Sequence, residues 1–197
     1  MKTILVYIIM CFVSLSVYAQ AQVKDRSYAD KQVHRINKVV PLSESQKTRI
    51  KSLNVDYKST TDSITRSISN SEDEYQKKYD AAKAYHENLM KTLTESQIAS
   101  YVRTTCAPEI KAKTEYRISL LREGGDYTED ELSAMYSDIY NYLMLEKIVY
   151  FRYKYDFATQ KNNISRLKAI QPNALKESQT IEKQKGLGKV RTGDSWK

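Results

Sequence analysis

Residues 41–68 read PLSESQKTRIKSLNVDYKSTTDSITRSI, and their spacing sets the fold class. Ser43 followed by Gln46 has the form of a capping box, in which the hydroxyl accepts from the amide three residues on and the glutamine reaches back to the cap amide. Beyond it, Ile50, Leu53, Tyr57, Thr61, Ile64 and Ile68 recur at three-four spacing with Lys, Asp and Ser between them. That is one stripe of an amphipathic helix. Working outward, Ser69, Asn70 and Ser71 predict a bend, and Tyr75, Tyr79, Ala82, His86, Leu89 and Leu93 repeat the stripe. Pro108 suits the first turn of a further helix, carried by Ile110, Thr114, Ile118 and Leu121 until Gly124 and Gly125 stop it. A last long helix is expected from near Glu129, with nothing to break it before Pro172. It carries two stripes, one through Tyr136, Ile139, Leu143, Tyr150, Tyr153 and Phe157, the other through Tyr140, Met144, Ile148, Phe151 and Tyr155. An element apolar on two sides packs on two neighbours, so it is the central helix or a dimer contact. With three prolines, five glycines and no short alternating runs, the expectation is an all-α, elongated bundle of about five long amphipathic helices.

The N-terminus reads as a secretory signal peptide: Lys2, an apolar run from Ile4 to Val13, and small residues ending at Ala19 before Gln20. The run is about half of what a bilayer span needs. Cleavage after Ala19 and a periplasmic location are expected, with no membrane span in the mature chain. Cys11 lies inside the apolar run and would be removed, leaving Cys106 as the remaining cysteine. Its ordinary reading is a small buried residue at a helix boundary, and its sharper one is a bridge between two chains.

The 178 residues after Ala19 contain 31 Lys plus Arg against 24 Asp plus Glu. Export argues against nucleic acid as a partner for this modest excess, and leaves anionic surfaces or acidic stretches of unfolded polypeptide. Leu, Ile, Val and Phe make up only 34 of these residues, near the composition at which globular chains shade into disorder. Fourteen tyrosines supply the missing apolar area, each with a polar end that tolerates partial exposure. A thin core is expected.

Two five-residue strings match across 51 positions: Leu42-Ser43-Glu44-Ser45-Gln46 and Leu93-Thr94-Glu95-Ser96-Gln97. Both are capping boxes by spacing, each cap being worth about 1 kcal/mol. Leu93 and Ile98 add a hydrophobic staple to the second, whereas the first has only the alkyl stem of Lys47. Thr128 with Glu131 repeats the box without the leucine or the glutamine. Taken singly these are ordinary helix starts. The matching pair, in a small exported helical chain, resembles the Spy/CpxP family of periplasmic proteins, whose mark is a pair of Leu-Thr-x-x-Gln motifs on long helices.

Leu42, Ser43 and Gln46 match the first motif with Ser for Thr, and Leu93, Thr94 and Gln97 match the second in full. The resemblance covers about residues 26–103. It implies a helical hairpin pairing into a cradle-like homodimer that binds unfolded clients without ATP, or restrains an envelope stress sensor. The departure is length, since some eighty helical residues follow. The expected organisation is therefore a signal peptide (1–19), a Spy/CpxP-like unit (20–103), a further helical unit (104–185) and a flexible tail (186–197). A diverged repeat would set Thr128 against the first motif and residues 167–172 against residues 90–95.

Residues 147–168 mix Lys147, Arg152, Lys154, Lys161, Arg166 and Lys168 with five aromatic rings. A core stripe flanked by solvated charges is the ordinary reading. The functional one is a client-binding surface at Tyr150, Phe151, Arg152, Tyr153, Lys154 and Tyr155, holding extended polypeptide by ring contacts and charge steering. His34 and His86 have no ligand at a metal-binding spacing, no nucleophile elbow surrounds any serine, and Gly186-Leu187-Gly188-Lys189 lacks the earlier glycine and the hydroxyl of a phosphate loop. The sequence predicts no catalytic, cofactor or metal site. It predicts a binding protein for unfolded polypeptide clients, the alternative being a regulatory or structural protein with one dedicated envelope partner.

Overall fold

The computed structural model describes residues 27–186, and its described residues are helical with no strands. The signal-peptide residues, Cys11 among them, and residues 187–197 lie outside this range. Seven helices are described: α1 (27–39), α2 (Glu44–Ser67), α3 (Ser71–Thr92), α4 (Glu95–Gly124), α5 (Glu129–Arg152), α6 (Phe157–Ala169) and α7 (Asn173–Gln184). The all-α class holds. The expected count of about five is too low, in part because the long helix expected before Pro172 is two helices, α5 and α6, rather than one, with α7 following Pro172.

The chain divides into two compact units, one ending at Ile98 and one beginning at Ala99. In the first, α2 and α3 form an antiparallel pair. Asn70 caps α3 by accepting from the Glu72 amide, and Glu72, Asp73 and Glu74 place negative charge in the first turn, where the helix dipole favours it. The stripe of the opening sequence is the packed one: Ile50, Leu53 and Ile64 are buried, with Leu89 and Leu93 from the partner helix. Asn54 is the one buried polar side chain of this unit among the described residues. It donates to Ile50 O and receives the Tyr85 hydroxyl at 3.2 Å. The half-buried Tyr57 and Tyr85 pack with ring centres 5.0 Å apart and planes tilted by 34°, so tyrosine does add packed apolar area here. Lys51 pairs with Asp30 of α1 at 2.6 Å.

In the second unit, Ile118 and Leu121 of α4 meet Leu132, Ile139 and Tyr142 of α5 and Leu175 of α7. A second cluster joins Val102, Ile110 and Met144, with half-buried Cys106 and Phe151 against it. Pro108, expected to open a helix, lies inside α4. Its missing N–H leaves the Thr104 carbonyl without a helical donor, and Thr104 is exposed, so water can serve that carbonyl.

The predicted unbroken helix from Glu129 instead ends at Arg152. Tyr153 leaves helical geometry (φ −104°, ψ 32°), and Asp156 caps α6 by accepting from the Thr159 amide at 3.0 Å. The apolar period runs through this turn, which is why spacing alone hid it. α7 docks closely on the end of α4: a Cβ on Gly124 would lie 2.7 Å from Ile181 Cδ1. Arg117 to Glu182 (2.6 Å) and Tyr127 to Glu177 (2.6 Å) add polar ties. Gly186, at φ +69°, ends α7 in the left-handed conformation that glycine adopts without cost.

Candidate functional site

The two matching strings fold into the same local structure. Ser43 Oγ accepts from the Gln46 amide at 3.2 Å while Gln46 Oε1 accepts from the Ser43 amide at 3.0 Å. Thr94 and Gln97 repeat this at 3.2 and 2.9 Å. Even the hydroxyl contacts match, Ser43 to Ser45 at 2.9 Å and Thr94 to Ser96 at 3.0 Å. Each motif leucine is buried, as are Ile50 and Ile98 behind them.

The boxes leave each glutamine one side-chain amide group to place, and the two meet. Gln46 Nε2 donates to Gln97 Oε1 at 2.8 Å, and Gln97 Nε2 donates to Gln46 Oε1 at 3.1 Å. Each also donates to the carbonyl just before the other motif's leucine, Gln46 to Thr92 O at 2.9 Å and Gln97 to Pro41 O at 2.8 Å. The motifs are thus two halves of one joint, related by a local pseudo-twofold exchange. Both glutamines are half-buried, which strengthens these bonds relative to water-exposed ones and makes an unpaired amide costly. Leu42 is further fixed by Asn37, whose Oδ1 accepts from its amide at 3.0 Å.

Sequence reasoning found the boxes, whose partners lie three residues apart. It missed the cross-pairing, the two carbonyls and Asn37. The usable signal was the shared glutamine, because a capping box is closed as well by glutamate, and only an amide can both accept within its box and donate across to another.

Thr128 and Glu131 form a complete box at the start of α5, and the Thr128 bonds hold the Glu131 carboxyl below its ordinary range. This glutamate has no N–H to share. α7, which follows the stretch that a diverged repeat would set against residues 90–95, has Pro172 at its N-cap and no side-chain cap.

The aromatic and basic residues at 150–155 occupy the end of α5 and the turn into α6. Tyr150 is 47% exposed. Phe151 points into the Val102 cluster and packs on Tyr101 at 5.7 Å, so it is a core residue more than a surface one. Arg152 lies over the Tyr153 ring at 5.3 Å and Lys154 over the Tyr155 ring at 5.2 Å. These are cation–π pairs between adjacent residues. Nearby, Phe157 and Ile170 at the two ends of α6 are 64% and 66% exposed.

Among the described residues, Glu109 is a strongly displaced carboxylate. Hydrogen bonds from Lys113 and Lys147, both at 2.7 Å, hold its pKa down to about 2. Glu146 moves the other way, because burial disfavours its charge, and the Tyr142 hydroxyl that donates to it is pushed up to about 12. Among the described residues no three His, Cys, Asp or Glu side chains gather as a metal site, and no helix is long and apolar enough to cross a membrane. His34 is exposed and His86 half-buried. No protein-family model, curated protein or solved structure matches the chain.

Proposed function

We propose that this chain is an ATP-independent binding protein for unfolded or partly folded polypeptides in the periplasm, of the Spy/CpxP type, acting as a homodimer and by binding rather than catalysis. The observation that carries the reading is the reciprocal Gln46–Gln97 amide pair. It gives the residues on which the resemblance rests, Leu42, Ser43, Gln46, Leu93, Thr94 and Gln97, one shared structural purpose, where chance helix starts would have had none.

A second support is the turn at 150–155, where rings and cations sit side by side at a surface. Exposed aromatic area and positive charge together hold extended chains of mixed composition, by ring contact and steering respectively.

The test is light scattering of a reduced, aggregating model client with residues 20–197 at equimolar ratio and no ATP. Suppression of aggregation is expected, and its reduction in a Tyr150→Ser, Tyr153→Ser, Tyr155→Ser variant of unchanged helicity. Absence of suppression at several-fold excess refutes the client-binding reading and favours one dedicated envelope partner.

A further inference from the structure

Between the first turns of α2 and the last turn of α3 lies an open concavity of about 460 Å³, lined by Ser45, Gln46, Arg49, Asn88, Lys91 and Thr92. Two of these six are cations, one from each helix, and none is acidic. Four of the six other lysines on the same helices are neutralised, Lys47 by Glu44, Lys51 by Asp30, Lys58 by Asp62 and Lys78 by Glu74. Arg49 and Lys91 take part in no ion pair among the described residues. The acids closest in sequence do not line the concavity: Glu44 is held by Lys47 at 2.7 Å, and Glu87 and Glu95, four residues to either side of Lys91, lie outside the lining on exposed positions.

Two like charges brought to one concavity from separate helices repel unless an anion shares them. A guanidinium and an ammonium together match a phosphate dianion in charge, where a single carboxylate would neutralise half. Asn88 adds a neutral donor, since its amide spends one N–H on Ala84 O at 2.9 Å and has a second.

We propose that this concavity binds a phosphate group, free or as the monoester headgroup of an anionic lipid, with Arg49 and Lys91 as its charge partners. The site adjoins the motif joint, because Gln46 and Thr92 line it and are themselves bonded across it at 2.9 Å. A phosphate held by both cations ties the start of α2 to the end of α3, so binding stabilises the first unit by mass action. The proposal stands apart from client binding and does not rest on it.

The test uses the mature chain, residues 20–197, titrated with inorganic phosphate against chloride at constant ionic strength. Thermal unfolding and amide chemical shifts are read together. The expected result is a saturable rise in Tm, about 3–5 °C at ten times the dissociation constant, with shifts concentrated at residues 45–49 and 88–92. Phosphate also raises Tm without binding, by exclusion from protein surface. The Arg49→Gln/Lys91→Gln variant separates the two effects: it loses the saturable component, while Lys111→Gln/Lys176→Gln, of equal net charge, keeps it. Co-sedimentation with phosphatidylcholine vesicles, with and without phosphatidic acid, distinguishes the sources. Retention on phosphatidic acid that the Arg49/Lys91 variant loses assigns the lipid headgroup, and saturation by free phosphate alone assigns the soluble ion. Non-saturating responses in both arms, or equal responses from the two double variants, overturn the proposal.

Discussion

At the scale of single residues, the informative feature is that one side chain type does two jobs. A glutamine at the third helical position closes its own cap with Oε1 and has Nε2 left over, and in this chain both leftovers are spent on the opposite motif. Thr94→Ala removes the cap acceptor but leaves that exchange, so a loss of about 1 kcal/mol is expected in urea unfolding of the first unit. A loss within error would remove the capping role. Glu146 is a residue whose environment works against it. Its pKa is raised by burial, so its contribution to stability is full below its unfolded pKa and is lost as pH rises through the folded value. Glu146→Gln keeps an acceptor for the Tyr142 hydroxyl and removes the charge. Tm should rise at pH 7 and stay unchanged near pH 4; a drop at pH 7 would mean that the carboxylate is needed as an anion. The boxes were legible in the sequence because both partners lie within one turn. The amide exchange was not, since nothing local tells a chain which distant carbonyl a glutamine will reach.

At the scale of elements, periodicity read α2 and α3 well and read the C-terminal region badly, for a single reason. Apolar spacing reports which face is buried and is silent about where the backbone leaves the helix. Tyr150, Tyr153 and Phe157 keep their spacing across the Tyr153–Asp156 turn, and the break is written in the Asp156 side chain, which accepts from the Thr159 amide, and in Gln160, whose Nε2 donates to Tyr153 O. Asp156→Ala should therefore destabilise the second unit by about 1 kcal/mol, seen as a lower midpoint in denaturant with an unchanged slope. An unchanged midpoint would show that packing alone defines the turn. Pro108 misled in the opposite sense. It has the preference of a helix start, yet α4 runs through it, with the Thr104 carbonyl left to solvent. Pro108→Ala restores an N–H for that carbonyl and should stabilise the second unit by about 1–3 kcal/mol; destabilisation would contradict that account.

At the scale of the whole molecule, carboxylates held in ion pairs are expected to govern the response to acid. Glu109 is held at about 2 by Lys113 and Lys147, and Glu123, Glu129 and Glu182 are lowered by Lys185, Arg122 and Arg117. Each lowered acid contributes stability that is present above its unfolded pKa and lost as pH falls toward the folded value. For Glu109 that window runs from about pH 4.5 down to about 2. Tm should fall through this range, and Glu109→Gln should make the fall shallower; an equal slope in the variant would mean that the triad contributes nothing net. The class of the fold and the two motifs could be read from the sequence, while the number of helices and the meeting of the motifs depended on long-range packing. That meeting is tested most directly by a double-mutant cycle on Gln46→Ala and Gln97→Ala. Each substitution also opens its own capping box, and those separate losses cancel in the cycle, leaving the exchange between the motifs. A coupling energy of about 1–2 kcal/mol is predicted; losses that add within about 0.3 kcal/mol would contradict the joint.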